Sequence, residues 1–150
     1  MQDFFKKIVS LLFVTAMVVT AMAQKDPICK VWYNQEKTSK VEVYQTGNTF
    51  EAKIVWLNEP LDYGKPKVDK ENPDEKLRTT PVLNLVILHN IHKSKDTPNF
   101  YEGGKIYDPK NGKTYDCRMT YKGSTIELRG YVLGLPFLGR TSTWWLAEGQ

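Results

Sequence analysis

Val41-Glu-Val-Tyr44, Thr46-Gly-Asn48 and Phe50-Glu-Ala-Lys-Ile-Val-Trp56 are the stretches that decide the fold. Val41 and Val43 alternate with Lys40, Glu42 and Tyr44. Past the turn-forming triplet, Phe50, Ala52, Ile54 and Trp56 alternate with Glu51, Lys53 and Val55. A period of two marks half-buried strands, and the Gly-Asn turn between them makes a hairpin with one apolar face.

The same pattern extends in both directions. Cys29 to Tyr33 precedes the hairpin as a first strand, and Val82 to Ile91 is apolar on both faces, as in a strand covered on each side. Lys105–Tyr107 and Lys113–Tyr121 flank the tight loop Asp108-Pro-Lys-Asn-Gly112. Lys122-Gly-Ser124 turns into Thr125–Val132, and Arg140–Leu146 is the last strand. Nothing past residue 24 has the spacing of an amphipathic helix. About eight sequential strands with mostly short turns predict an all-β fold, a small antiparallel eight-stranded up-and-down β-barrel ahead of a small sandwich. Closure removes exposed edges and leaves an interior for side chains or one small ligand. Two connections are long: residues 58–80, polar and Pro-containing, and the apolar 133–139. The second is expected as a plug over one mouth rather than as an exposed contact surface.

Upstream, Lys6 and Lys7 precede an uncharged, mostly apolar run from Ile8 to Met22, which ends in Ala21-Met-Ala23. This is the pattern of a secretory signal peptide over residues 1–23, with the mature chain starting at Gln24. The run is short for a membrane span, so no transmembrane segment is expected after its removal. The expected organisation is then a linker at 24–28, one barrel domain at 29–146 and a tail at 147–150. The destination is the periplasm or the exterior. A formal net charge of +4 is mild, and its basic residues are interspersed with acidic ones. Nucleic acid is therefore not an expected partner. Cys29 and Cys117 form a pair in an exported chain, which predicts a disulfide; two separate buried thiols are the alternative.

Candidate chemistry is sparse. His89 and His92 lie near the end of a strand run, where their spacing puts them on opposite faces, and no zinc set accompanies them. The stretch Asp69 to Glu75 concentrates oxygen ligands, but its lysines and proline and its lack of a turn glycine read as a solvated loop. There is no nucleophile elbow, phosphate loop or dinucleotide fingerprint, so neither a cofactor nor an enzyme is expected. The Arg129, Arg140, Trp144, Trp145 cluster is the best lead. Arg and Trp together hold an anion beside an apolar pocket, or else a Trp fills the barrel base while an Arg stacks on it. Gly139 allows close backbone approach. Arg140, Ser142 and Trp144 then share one strand face, which puts Arg140 at a barrel mouth if Trp144 faces inward. There it is expected to cap backbone carbonyls, ahead of holding a ligand's anionic head.

Several motifs together resemble a known family: Lys53-Ile-Val-Trp56-Leu57, Asp69-x-x-Asn72-Pro73-Asp74-x-x-Leu77-Arg78, Gly103-Gly104-Lys-Ile-Tyr107-Asp108-Pro109-x-x-Gly112-Lys-Thr-Tyr115, Arg129-Gly130-Tyr131 and Leu138-Gly139-Arg140-Thr141-x-Thr143-Trp144. They resemble the exported bacterial domain-of-unknown-function family 2147, whose members look lipocalin-like. The resemblance implies a calycin-type barrel over the whole mature domain and brings no catalytic residues. Asn84 stands where it leads one to expect Gly. The expected function is binding of a small apolar, lipid-like or amphipathic molecule, with Trp32, Trp56, Tyr107, Arg129, Arg140 and Trp144 as contact residues. A structural or interaction protein of the envelope with a filled barrel is the alternative. A hydrolase or isomerase, built on His89 with Asp62 or Asp108, ranks third. Protein partners are not specified.

Overall fold

The computed structural model describes residues 24–147. The expected signal peptide and the last three residues of the expected tail lie outside that range. The strands are β1 (Val31–Tyr33), β2 (Ser39–Thr46), β3 (Thr49–Leu57), β4 (Leu61–Asp62), β5 (Lys65–Pro66), β6 (Val86–Lys93), β7 (Phe100–Asp108), β8 (Lys113–Tyr121), β9 (Thr125–Val132) and β10 (Leu135–Leu146). Eight of them close into an antiparallel barrel in the order β1-β10-β9-β8-β7-β6-β3-β2, while β4 and β5 form a separate small hairpin. The up-and-down barrel expected from the alternation is therefore the fold.

The opening hairpin forms as its pattern dictates, with Val41 and Val43 facing Ile54 and Ala52 across the ladder and all four buried. Trp56 departs from the pattern. Lys40 pairs with Trp56 but Val41 pairs with Ile54, so Val55 is an extra residue. Such a bulge moves the following side chains to the other face. Leu57 turns inward, and Trp56 lies half-exposed, its ring edge-on to Tyr33 at 6.1 Å.

One half of the barrel is solid. Trp32, Val43, Phe50, Tyr101, Met119 and Ile126 fill it, with Phe50 edge-on to Tyr101 at 5.6 Å. The chain before β1 closes this end: Ile28 is fully buried and its carbonyl accepts from the Trp32 indole N–H at 2.9 Å. Asp26 accepts from the Tyr101 hydroxyl at 2.6 Å and the Lys93 ammonium at 2.8 Å. Burial works to raise the Asp26 carboxyl, and the bonds from Lys93, Tyr101 and the Ile28 amide outweigh it and hold the group below the usual range. Asp26 and Ile28, expected in a linker, thus belong to the domain.

Several strands begin earlier or later than expected, and β1, expected from Cys29, starts at Val31. β6 starts at Val86, β7 at Phe100, and β10 at Leu135. The segment 133–139 is accordingly no separate loop. It is the tip of the β9–β10 hairpin, with a register shift between Leu135 and Gly139. It is not a plug either, since Leu133 is 82% and Phe137 73% exposed. Gly139 sits where the strands come closest; a Cβ there would meet the Gly130 carbonyl and the Tyr131 side chain. The Gly103-Gly104 pair forms the expected bulge, in the register shift between Tyr101 and Gly104. Asn84 has φ of 70°, a left-handed conformation that Gly or Asn adopts most readily.

Candidate ligand-binding cavity

The other half of the barrel is hollow. A cavity of about 1110 Å³ opens at its end. Its apolar depth is made by Val41, Ile54, Ile87, Ile106, Leu128 and Trp144, one contribution from each of six strands. Space is left there partly by Gly130, where an added Cβ would touch the Tyr115 Cβ at 3.6 Å and the Ile106 Cγ2 at 3.7 Å. An interior lined by branched apolar side chains and one aromatic favours apolar guests, because apolar surface on both sides leaves water.

Across the mouth runs the 58–85 connection. It is an ordered lid: the 69–75 stretch expected as a solvated loop does face solvent, except at Asn72, which is half-buried, and Asp69, which is fully buried. Val68 bridges to Pro81, and a short 3-10 turn at Glu75–Leu77 starts at Asp74, whose carboxylate accepts from the Lys76 amide at 3.0 Å. Its anchor is Asp69, a fully buried carboxylate that accepts from the Asn72 side chain and the Tyr107 hydroxyl, each at 2.7 Å. Burial and the bond to Asp69 push the Tyr107 hydroxyl up to about 12, so at neutral pH it stays a donor. Lid and barrel are tightly apposed: a Cβ on Gly112 would collide with the Glu71 carbonyl. Sequence reasoning missed Asp69 as a structural carboxylate. The available signal was Asn72, three residues on and ahead of a Pro, a spacing that lets its amide reach back.

The expected contact residues separate into two groups. Tyr107, Arg140 and Trp144 do line the cavity, with Ser142 between the last two on the same inward face of β10. Trp32 sits in the solid half and Trp56 on the outside, so neither reaches the cavity. Arg129 is also outside. Its Nε donates to the Pro136 carbonyl at 2.6 Å and its Nη1 to the Thr141 hydroxyl at 2.9 Å, which holds the bulged hairpin to β9. The carbonyl-capping role expected of Arg140 therefore falls to Arg129. Arg140 itself is exposed at the mouth, and among the described residues no carboxylate pairs with it. Two lysines of the lid are committed, Lys67 to Glu59 at 3.5 Å and Lys70 to Asp62 at 3.8 Å.

The expected Cys29–Cys117 disulfide is absent, and both residues are separate buried thiols. Cys117 is on β8, whereas Cys29 precedes β1, and β9 and β10 stand between those strands in the barrel wall. Burial pushes the Cys117 thiol up to about 12, and burial with the Asp26 charge raises Cys29, so neither is a reactive thiolate. His89 faces away from the cavity that Asp62 and Asp108 border, so the pairing considered for hydrolysis is not assembled. No group of three metal-ligating side chains occurs among the described residues. No helix among them is long and apolar enough to cross a membrane.

Comparison with known proteins places this geometry. A family model described as "Uncharacterized protein conserved in bacteria (DUF2147)" matches residues 31–145. The chain belongs to the DUF2147 family. Among solved structures it is similar to protein HP1028 from Helicobacter pylori, described as belonging to the lipocalin family. That likeness has a TM-score of 0.70 at 28% identity, covering 81% of this chain and 83% of the other. No curated protein matches. The DUF2147 domain is thus an all-β, lipocalin-like barrel, and the motif stretches that carried the resemblance map onto its lid, its bulges and its cavity rim.

Proposed function

We propose that this DUF2147 protein is an exported binding protein that takes one small amphipathic molecule into its barrel. The observation that carries the reading is the hollow half itself, with an apolar depth ending at Trp144 and an uncommitted guanidinium, Arg140, at the mouth. An apolar tail leaves water on entering the depth, and a carboxylate or other anionic head meets Arg140 as it stays near solvent. Ser142, between them, offers a hydroxyl part-way down. Export rests on the signal-like residues 1–23 and on Ala21-Met-Ala23 before Gln24.

Native mass spectrometry of protein purified from its own source tests this reading, comparing intact mass before and after solvent extraction. A co-purifying species of a few hundred daltons, lost on extraction, is the expected result. Fluorescence titration with a fatty-acid probe adds the residue-level test: Arg140→Gln weakens binding, while Ser142→Trp, which fills the space above Trp144, removes it. An unoccupied protein whose affinity for such probes is unaltered by Ser142→Trp would overturn the proposal. A surface role has one observation of its own, the exposed apolar tip formed by Leu133 and Phe137. That role does not require a filled barrel.

A further inference from the structure

The outer wall of the barrel carries an arrangement that the cavity does not use. Arg118 on β8 and Arg129 on β9 are direct cross-strand partners. Both point outward, since Cys117 and Met119 on one strand and Leu128 on the other are buried inside. Like charges placed opposite each other on one face of a sheet repel. A salt bridge to a neighbouring carboxylate would relieve that, yet among the described residues neither arginine has an ion-pair partner, and Asp116 and Glu127 are taken by Lys105 and, at 2.6 Å, by Lys122. The two guanidiniums, with Thr120, Glu127 and Thr141, surround a hollow of about 200 Å³.

The donors facing this hollow are cationic forks and hydroxyls, and Glu127, the one carboxylate in its wall, has its charge offset by Lys122. Arg129 spends Nε and Nη1 on Pro136 and Thr141, which fixes its plane and leaves Nη2 free. Thr141 accepts that bond and keeps its own hydroxyl proton to donate. Arg118 has its guanidinium carbon 6.0 Å from the Phe100 ring centroid, which orients it without consuming its N–H groups. Thr120 supplies a further hydroxyl. Forked cationic donors with flanking hydroxyls match the spread lone pairs of a tetrahedral oxyanion.

We propose that Arg118, Arg129, Thr120 and Thr141 form an oxyanion site on the outside of the barrel that takes a phosphate or sulfate group. The site is independent of the cavity and of any ligand held there. The group reaches it either as a free ion or as part of a phospholipid headgroup. In the second case the exposed Leu133 and Phe137, on the hairpin that Arg129 clips in place, would lie against the same lipid surface.

The test is an NMR titration of the ¹⁵N-labelled protein with sodium phosphate at constant ionic strength. Saturable shifts at the amides of Arg118, Thr120, Arg129 and Thr141, and at the two arginine Nε–H groups, are expected. Arg118→Gln weakens binding about tenfold, the loss of one charge-assisted donor set. Thr120→Val, which leaves all charges in place, weakens it by a smaller factor. Arg129 is left intact because it also holds the hairpin. Shifts that do not saturate, that are unchanged in Arg118→Gln, or that centre on Arg140 would overturn the proposal. Sedimentation with vesicles of phosphatidylglycerol in phosphatidylcholine separates the sources. Vesicle binding that Arg118→Gln abolishes assigns a lipid headgroup, and Arg118-dependent phosphate binding without it assigns a free oxyanion. Failure of the cavity reading would leave both measurements unaffected.

Discussion

Tyr107→Phe removes one hydroxyl and tests whether the lid is latched as the structure implies. The lost bond is the donation from Tyr107 to the buried Asp69 at 2.7 Å. A hydrogen bond to a charged acceptor contributes about 1.5–3 kcal/mol, and here the lower half applies, about 1.5–2 kcal/mol, because Asp69 keeps the Asn72 amide. In urea, followed by tryptophan fluorescence, the midpoint should fall by roughly 1 M for a domain of this size. The pH dependence supplies a second, sharper check. Unfolded tyrosine loses its proton near pH 10, whereas Tyr107 in the fold is pushed up to about 12. The folded state therefore binds the extra proton between those values. Its stabilisation is complete below about pH 10 and is lost as pH rises through about 12. The gap between wild type and Tyr107→Phe should accordingly narrow above pH 10 and stay constant below it. Trypsin provides a local readout, since opening the lid frees the backbone after Lys67, Lys70, Lys76 and Arg78 to enter the protease. Equal midpoints at neutral pH together with equal trypsin resistance would refute the latch.

At the closed end, Asp26→Ala strands the buried Tyr101 hydroxyl and the Lys93 ammonium, and should cost about 2–3 kcal/mol by urea denaturation near neutral pH. Because the Asp26 carboxyl is held below its usual value, this contribution is present above about pH 4 and disappears as pH falls through the depressed one, so the two midpoints should converge in acid. Arg129→Ala and Arg140→Ala should separate cleanly: the first lowers the unfolding free energy by about 1–3 kcal/mol as the Pro136 carbonyl loses its donor, the second leaves the ligand-free protein's stability unchanged. Thiol labelling of the unreduced, denatured protein should modify both Cys29 and Cys117; a protein that takes up no label would contradict the separate thiols seen here.

The strand pattern made most of the fold legible, because a barrel wall with one dry face imposes period two wherever it is regular. The misreadings fall where that period breaks. Val55 inserts one residue, and with it Trp56, apolar and in phase with Ile54, ends outside. The apolar Leu133–Gly139 run suggests burial, yet it is a hairpin tip with a register shift, and Leu133, Leu135, Phe137 and Leu138 have no core to face. Arg140 and Trp144 were placed by counting along one strand, and both do line the cavity. Proximity in sequence groups Arg129 with them, though it sits on the neighbouring strand with the opposite facing. Asp69 is legible only in part: Asn72 is a local sign, but its other partner, Tyr107, lies far along the chain, and no local pattern announces a long-range hydrogen bond. The disulfide expectation failed on topology, since an isolated cysteine pair says nothing of which strands are neighbours.

Barrel closure has a consequence for how the wall moves. β1 joins β10 through Trp32↔Leu146 and Tyr33↔Trp145, extended by the Ala147 amide on the Val31 carbonyl, while β10 runs on toward the mouth along β9 as far as Leu135. Beyond β1 no strand among the described residues covers that side of β10, and the Thr143 amide is met by the Gln35 side chain at 3.1 Å. Asn34, Gln35 and Glu36 border the cavity on one side of this slot, and Leu138 and Arg140 border it on the other. The ring is thus zipped at its floor and unzipped at its rim. Thermal breathing will concentrate along this seam, where the fewest backbone bonds must part, and hydrogen exchange in the upper half of β10 should outpace that of β8. A molecule too long to pass under the latched lid would have a lateral route in, through the wall and beside the guanidinium of Arg140.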